Sequence, residues 1–398
     1  MIGRCRGAGL RLVLLGVRCL AGSSDIVVIG GGVIGLTIAR RLRADEAKVT
    51  VLERDVCGRG ASWAGAGVLA PPNPHRKDAV AALHLQSLGM YPALCAELLE
   101  ETGIDPEYDS CGEIEVALDD RGLASLQDDA RVANGRRRPD GDLAFEVLSI
   151  EEARGLEPSL TTKAVGAMLC RETAQVRNPR LLQALKTSCL KRGVDIHEGE
   201  EVFDFVVEHD RFVGVQLADR VLRASTGVLC AGAWSTQIGS RLAALMPVRP
   251  IRGQMICMKL ERPPLNHVVS RGKTYWVPRR DGHLLLGATE EHDAGFVIRN
   301  TPQGIEKLIG KGLELVPALA DAPIVHTWAG LRPGTPDDLP YLGPIPGFEG
   351  FFAATGHFRS GLGLAPATAE VLASMVAKTT FPLDLSCSRV GRQRTGTA

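Results

Sequence analysis

The sequence predicts an α/β fold that joins a Rossmann-like, glycine-turn unit to an antiparallel sheet. Residues 26–52 have the pattern of a strand, a glycine turn, a helix and a second strand, which is the order of a β-α-β unit in a parallel sheet. Segments 83–102 and 302–315 have apolar residues at helical spacing. From Val248 onward, strand-like segments recur at short intervals, which is typical of antiparallel pairing.

The glycines of the first unit have the spacing of a dinucleotide-binding turn. Gly30 permits a tight turn, Gly32 allows a pyrophosphate to approach the backbone, and Gly35 allows the helix to pack closely on the strand. The helix then presents free N–H groups and the positive end of its dipole to the phosphates. Glu53 ends the next strand, near the spacing of about 20 residues at which a carboxylate binds a ribose diol. We therefore expect a dinucleotide site here.

Composition and charge exclude several classes of protein. The 398 residues have a formal net charge of zero and no long basic run, so we expect no nucleic-acid partner. No apolar run approaches the length of a membrane span, so we expect no membrane contact. The 10 cysteines lack the C-x-x-C spacing of metal and redox sites, which predicts no metal and reduced thiols.

The two chain ends differ in composition from the rest. Residues 1–24 are basic and contain no acid, and Arg18 interrupts the apolar core that a secretory signal requires. Two interpretations stay open, a mitochondrial presequence and a disordered tail added by an upstream start codon. The expected location is cytoplasmic, with mitochondrial as the alternative. The polar segment 386–398 is expected to be a disordered tail.

Five sequence blocks together resemble the amine-oxidising flavoproteins of the D-amino-acid oxidase superfamily, most closely the bacterial glycine oxidases of thiamine biosynthesis. The blocks are the glycine turn with Glu53 and the segments 61–67, 231–235, 328–337 and 355–359. The resemblance implies FAD rather than NAD. It also implies an FAD-binding domain assembled from the discontinuous segments 25–95, 150–240 and 328–385, and a substrate-binding domain of antiparallel sheet made from 96–149 and 241–327.

The resemblance also assigns the residues that hold FAD. It implies noncovalent binding, because no cysteine occurs between Cys257 and Cys387, where related sarcosine oxidases attach their flavin. Two positions depart from the usual glycine oxidase pattern, Val68 in place of Met and Ser360 in place of Asn, which leaves the pocket size open. The implied contacts are Val33 and Ile34 at the pyrophosphate, Glu53 and Arg54 at the ribose, Ala61, Ser62, Ala66, Gly67 and Val68 along the phosphates and flavin, the Val202 backbone at the adenine, and His357, Phe358, Arg359, Ser360, Gly361, Leu362 and Gly363 at the flavin edge.

The implied reaction is the oxidation of a small amine to an imine, which water hydrolyses to an α-keto acid and ammonia, while oxygen becomes hydrogen peroxide. The neutral amine itself drives hydride departure from Cα, so we assign no side-chain base. Glycine, sarcosine, D-alanine and D-proline are not ranked by the sequence. The alternatives are a dehydrogenase that passes electrons to a quinone or carrier, a non-catalytic flavoprotein or assembly factor, and a nicotinamide enzyme. A homo-oligomer, by analogy a tetramer, is compatible with the chain.

Three residues are candidates for binding the substrate carboxylate. Arg332 follows a glycine and a leucine at a strand–turn junction, and a guanidinium grips a carboxylate in bidentate fashion. Its alternative is a salt bridge with Asp337 or the adjacent Asp338. Arg359 is expected at the substrate or at the flavin edge, with a structural ion pair as its alternative. Tyr275 is expected either to hydrogen-bond the carboxylate or to fill the core of the sheet.

Overall fold

The computed structural model describes residues 24–135, 144–262 and 264–392. The basic extension expected at residues 1–24 therefore lies, apart from Ser24, outside the described residues. The strands are β1 Ser24–Ile29, β2 Val49–Glu53, β3 Val68–Leu69, β4 Glu113–Ala117, β5 Phe145–Leu148, β6 Gly166–Cys170, β7 Ala174–Gln175, β8 Asp195–Glu198, β9 Asp204–Glu208, β10 Arg211–Gln216, β11 Val221–Leu229, β12 Arg249–Lys259, β13 Val268–Arg271, β14 Thr274–Pro278, β15 His283–Gly287, β16 Ile324–Gly334, β17 Tyr341–Pro344 and β18 Phe351–Thr355. The α-helices are α1 Val33–Ala44, α2 Ala61–Ala64, α3 Ala79–Thr102, α4 Asp120–Asn134, α5 Ile150–Leu156, α6 Asn178–Lys191, α7 Leu242–Leu245, α8 Pro302–Leu315 and α9 Gly361–Val376.

The first sheet contains the predicted β-α-β unit. Its strand order is β17-β18-β11-β1-β2-β8, with β10 paired to β11 and β9 paired to β10. The central pairings of β1 with β2 and with β11 are parallel, and β18 also lies parallel to β11. Residues 26–29 of β1 are all buried, because helices cover one face of this sheet and the β9–β10 hairpin region covers the other. The carboxyl ends of β1, β2 and β11 consequently meet at one edge.

The second sheet has the order β16-β12-β15-β14-β13-β4-β6-β5 and is antiparallel except where β13 meets β4. The predicted antiparallel region and the α/β fold class are therefore confirmed. The expected domain boundaries differ from the strand pairing in two places. β6 joins this sheet because it pairs with both β4 and β5, so the sheet continues past residue 150. β16 also belongs to it, along most of β12, so the sheet continues past residue 327.

Helix α3 begins at Ala79, four residues before the predicted start. Asp78 caps it by accepting a hydrogen bond from the Ala81 N–H, a signal that apolar spacing alone does not show. By length and composition α3 could cross a membrane, and it is the one such helix among the described residues. Leu83, Tyr91 and Leu98 are nevertheless fully buried in the core beside the first sheet, which is typical of the core helix of a globular protein.

The carboxyl-terminal segment differs from the expected disordered tail. Residues Ser386–Ser388 form a 3₁₀ turn, and the Arg392 guanidinium binds the Asp337 carboxylate at 2.7 Å and stacks over the Tyr341 ring. Composition predicted disorder here because the segment is polar, but these contacts with the body of the protein hold it in place. Residues 393–398 lie outside the described part of the chain.

Candidate active site

The glycine turn between β1 and α1 is tight at two points. Gly30 has φ +110°, and a Cβ there would lie 2.5 Å from the Cys230 carbonyl oxygen. A Cβ at Gly35 would lie 1.9 Å from the Gly30 carbonyl oxygen, so only glycine lets α1 pack on the turn. A Cβ at Gly32 would lie 3.3 Å from the Ser62 hydroxyl, closer than an ordinary van der Waals contact, so glycine also keeps this position uncrowded. These geometries agree with the roles predicted for Gly30 and Gly35, while the approach of a pyrophosphate at Gly32 stays a prediction.

Two side chains organise the amino terminus of α1. Glu53 accepts a hydrogen bond from the Gly31 N–H at 2.8 Å, which fixes its carboxylate at the end of β2 beside the turn. We had expected the Val33 N–H to be free, but it donates to the Ser62 hydroxyl at 3.0 Å. Ser62 thus places its hydroxyl at the positive end of the helix dipole, where a phosphate is also attracted.

The loop at residues 61–67 is held by two residues that sequence reasoning missed. The buried Asn178 amide donates to the carbonyls of Ser62, Trp63 and Gly65 at 2.7–3.0 Å. Arg279, also buried, donates to the Ala66 carbonyl at 2.6 Å. Both are distant from the loop in sequence, and an isolated Asn or Arg carries no pattern that predicts such a contact.

The segment 357–363 faces the same region from the other side. The resemblance places this segment at the flavin edge, and within it Phe358–Ser360 form a 3₁₀ turn and Gly361 begins α9. A second helix amino terminus therefore faces the cleft. Burial lowers the pKa of His357 to about 3, and its Nε2 lies 3.2 Å from the Thr368 hydroxyl, so the imidazole is neutral.

These segments line one cleft of about 940 Å³ between the two sheets. Every residue proposed for FAD or substrate lines it except Gly35, whose predicted role is packing. Residues that sequence reasoning missed also line it, including Trp234, over which the Arg54 guanidinium stacks at 3.8 Å, and His84. Burial and the Arg76 charge lower the pKa of His84 to about 4, so this histidine is also neutral.

Arg332 lies on β16 at the end of the cleft formed by the second sheet. Its guanidinium donates to the Thr289 carbonyl at 3.1 Å. Among the described residues, no carboxylate lies within ion-pair distance of it, and Asp337, its proposed alternative partner, binds Arg392 instead. The guanidinium extends across Gly253 of β12, where a Cβ would come within 2.3 Å of it. Gly253 therefore provides the space that aims Arg332 into the cleft.

Tyr275 lies on β14 beside Arg332, with its hydroxyl 3.8 Å from the Met255 sulfur. Burial raises the pKa of the Tyr275 phenol, partly offset by the charges of Arg332 and Arg359. The hydroxyl is therefore protonated and can donate a hydrogen bond. The core packing predicted as one alternative for Tyr275 is present, because the residue packs against the buried cluster that contains Met255, and Tyr275 also lines the cleft.

Arg359 has the ion pair that was stated as its alternative. Its Nε donates to the Glu290 carboxylate at 2.9 Å, and a second nitrogen contacts the same oxygen. Partial burial would raise the pKa of Glu290, but hydrogen bonds from Lys273 and Arg359 lower it to about 2. Arg359 thus lines the cleft with its charge compensated, whereas Arg332 has no such partner in the described residues.

The geometry fits a dinucleotide cofactor of the flavin type. The cradle at Gly30 and Gly32, the Glu53 carboxylate, and the helix amino termini suit a nucleotide tail with its pyrophosphate. The opposite end, at Arg332 and Tyr275, suits an anion with apolar surroundings. Among residues 24–135, 144–262 and 264–392, no cluster of three or more His, Cys, Asp and Glu could hold a metal ion.

A fold and a cleft of this kind define a flavin-dependent oxidoreductase, and comparison with known proteins agrees. The family model described as DAO, FAD dependent oxidoreductase, matches residues 25–375. The chain belongs to this family and is an FAD-dependent amine oxidoreductase, as the resemblance implied.

Two relatives and one solved structure show how far the similarity extends. Over 357 residues the chain is 42% identical to a glycine oxidase of Pseudomonas aeruginosa, which covers 89% of this chain and 95% of that protein. It is 35% identical to a bifunctional protein ThiO/ThiG of Trichormus variabilis, but spans only 53% of that longer protein. The crystal structure of glycine oxidase from Geobacillus kaustophilus superposes with a TM-score of 0.88 at 31% identity, covering 94% of this chain and 99% of that one.

Proposed function

We propose that this enzyme is a glycine oxidase that converts glycine to an imine, and through hydrolysis to glyoxylate and ammonia, with reduction of oxygen to hydrogen peroxide. The observation that carries the proposal is the Arg332 guanidinium, which has no carboxylate partner among the described residues and lies beside the protonated Tyr275 hydroxyl in a cleft that fits FAD. The 42% identity to a glycine oxidase supports the choice of substrate. The similarity to a ThiO/ThiG protein supports a role in supplying the thiazole of thiamine.

In this proposal the protein contributes binding and orientation. Arg332 holds the substrate carboxylate in bidentate fashion while Tyr275 donates to it, so the amine and Cα point toward the flavin end of the cleft. FAD, when bound, supplies the acceptor for the electron pair and hydrogen that leave Cα. The two histidines that line the cleft, His84 and His357, are neutral and buried, and we assign neither as a base.

We propose that FAD is held without a covalent bond. Cys230 is the cysteine that lines the cleft among the described residues, and it is buried at the glycine turn. Burial raises the pKa of its thiol, which keeps it protonated and a poor nucleophile. Acid precipitation of the protein should therefore release all the yellow colour into the supernatant. Colour retained in the pellet would contradict noncovalent binding.

The test of function is anaerobic mixing of the yellow holoenzyme with glycine, sarcosine, D-alanine and D-proline while flavin absorbance is followed. We expect glycine to bleach the flavin most efficiently, and admission of air to restore it with one hydrogen peroxide per ammonia. Bleaching that air does not reverse would indicate a dehydrogenase with another acceptor. A flavin that no amine bleaches would contradict an amine-oxidising function.

A further inference from the structure

Three charged residues, Lys273, Glu290 and Arg359, line the cleft next to the carboxylate site. The ion pairs between them have no part in the proposed reaction. Glu290 lies at their centre, with 11% of its side chain exposed. One of its oxygens accepts from Lys273 Nζ at 2.7 Å, and the other accepts from the Arg359 guanidinium. Tyr275, whose hydroxyl faces the carboxylate site, experiences the charges of both Arg332 and Arg359. Two guanidinium groups therefore lie at this end of the cleft, and one of them forms an ion pair with Glu290.

The position of Glu290 is fixed by its neighbours in the chain. The preceding residue, Thr289, accepts a hydrogen bond from Arg332 through its carbonyl, and its hydroxyl accepts from the Gln254 N–H at 2.9 Å. The following residue, Glu291, exchanges both backbone hydrogen bonds with Arg252 at 2.9–3.0 Å. The segment is thus attached to β12 on both sides of Glu290, which fixes its backbone, and the carboxylate can swing away only by breaking its bonds to Lys273 and Arg359.

We propose that Glu290 is a specificity-determining residue that restricts this cleft to amines with a single carboxylate, an inference that rests on the proposed function. Its carboxylate occupies the guanidinium that would otherwise bind a second acid group of the substrate. An incoming second carboxylate must displace Glu290 or lie beside its negative charge in a partly buried site, and both are unfavourable. Substrates such as glycine carry no second acid and meet no such penalty.

The proposal is tested by binding of two simple anions that are not oxidised, acetate and malonate, to the FAD-loaded enzyme. Dissociation constants are taken from the change in flavin absorbance. Glu290→Gln keeps the size of the side chain. In this variant the dissociation constant of malonate should fall relative to that of acetate by about tenfold or more, the value of one charged hydrogen bond. A matched control, Glu146→Gln, removes a carboxylate paired with Arg171 on the surface and should leave the ratio unchanged.

A second variant should shift the ratio of the malonate and acetate dissociation constants in the opposite direction. Lys273→Gln removes a largely exposed cation from Glu290, which leaves more negative charge in the cleft, so malonate should weaken relative to acetate by severalfold. This variant keeps the proposal falsifiable if Glu290→Gln does not fold. An unchanged ratio in a folded variant of either kind would overturn the proposal. If Glu290 only ties Arg359 to the second sheet, stability would fall and the ratio would stay constant.

Turnover separates this inference from the proposed function. With iminodiacetate as a dicarboxylic amine, kcat/KM relative to glycine should rise in Glu290→Gln. A wild-type enzyme that fails to oxidise glycine, with the anion ratios still shifted as expected, would contradict the proposed function and leave the role of Glu290 intact. Normal glycine oxidation with unshifted ratios would overturn the role of Glu290 alone.

Discussion

Gly253 and Arg332 act as a pair, because the missing side chain of one makes room for the guanidinium of the other. A Cβ at Gly253 would come within 2.3 Å of Arg332, but the atom it meets is the far end of a flexible side chain. The cleft therefore depends on Gly253 more than folding does. Sequence inspection proposed Arg332 from its local pattern, whereas the role of Gly253 becomes visible only in the pairing of β12 with β16.

We expect Gly253→Ala to raise KM for glycine by about tenfold to a hundredfold, since the displaced guanidinium loses a charged hydrogen bond with substrate. The free energy of unfolding should change by less than about 1 kcal/mol. Steady-state kinetics and urea unfolding measure the two quantities. Gly310→Ala, at a helix position where a Cβ meets nothing within 4 Å, is the control. A Gly253→Ala enzyme with unchanged KM would contradict the proposed position of the substrate.

Removal of the guanidinium itself should have a larger effect. Arg332→Ala should raise KM by roughly a hundredfold or more, because it removes a charged pair worth roughly 2–5 kcal/mol. Arg280→Ala, which removes an exposed arginine paired with Asp109, should leave KM unchanged. If Arg332→Ala bound glycine as well as wild type does, the carboxylate site would have to lie elsewhere in the cleft.

At the scale of elements, the glycine turn was the part most fully predicted from sequence, because strand, turn and helix are contiguous there. The start of α9 at Gly361 has a weak sequence signal, because Gly361 and Gly363 in its first turn have low helix propensity. The anchoring of the 61–67 loop could not be predicted, because Asn178 and Arg279 reach it from α6 and from the loop after β14. Contacts between distant elements leave no local signal.

We expect Gly30→Ala to destabilise the turn by about 2–4 kcal/mol, because alanine disfavours φ +110° and its Cβ would meet a backbone carbonyl. The purified variant should contain little FAD, as judged by flavin absorbance per chain. Gly89→Ala, inside α3 and free of neighbours, should keep its FAD and gain about 0.5–1 kcal/mol of stability. Full FAD occupancy in Gly30→Ala would show that the turn tolerates a side chain.

At the scale of the whole molecule, the sequence predicted one sheet with parallel strands and one with antiparallel strands. It did not predict the residues at which separated segments join each sheet. The sequence shows where strands occur, whereas the pairing of β4 with β13, which joins β4, β6 and β5 to the later strands, depends on contacts across more than a hundred residues. The resemblance to known flavoproteins therefore supplied the expected discontinuous arrangement, whereas only the strand pairing shows that β6 and all of β16 join the second sheet. The cleft between the two sheets is a property of that assembly.

The two buried histidines should make the stability of the whole fold depend on pH. Burial lowers the pKa of His84 to about 4 and of His357 to about 3, below the ordinary value of 6.5. As pH falls, these histidines bind protons in the unfolded chain before they do so in the folded protein. The contribution of the two neutral histidines to stability is therefore complete above about pH 6.5 and is lost as pH falls toward 4. Between pH 7 and 5 each histidine should remove about 2 kcal/mol from the free energy of unfolding.

Urea unfolding at pH 7 and pH 5, with the same excess of FAD throughout, measures this loss. In His84→Gln the difference between the two pH values should shrink by about 2 kcal/mol. In His75→Gln, which changes an exposed histidine near Asp129, it should stay close to wild type. Equal pH dependence in His84→Gln and wild type would mean that His84 is not held neutral by burial.

One face of β16 contacts both halves of the cleft. The Trp328 indole donates to the Ala64 carbonyl at 2.9 Å, a Cβ at Gly330 would lie 2.4 Å from Ala64, and Arg332 follows two residues later. Alternate residues of a strand share one face and stand about 6.6 Å apart, so this strand sets the distance between the 61–67 loop and the proposed carboxylate site. Insertion of a single residue would turn the guanidinium to the opposite side. Evolution can therefore adjust the range of accepted amines by exchanging side chains along β16, but not by changing its length.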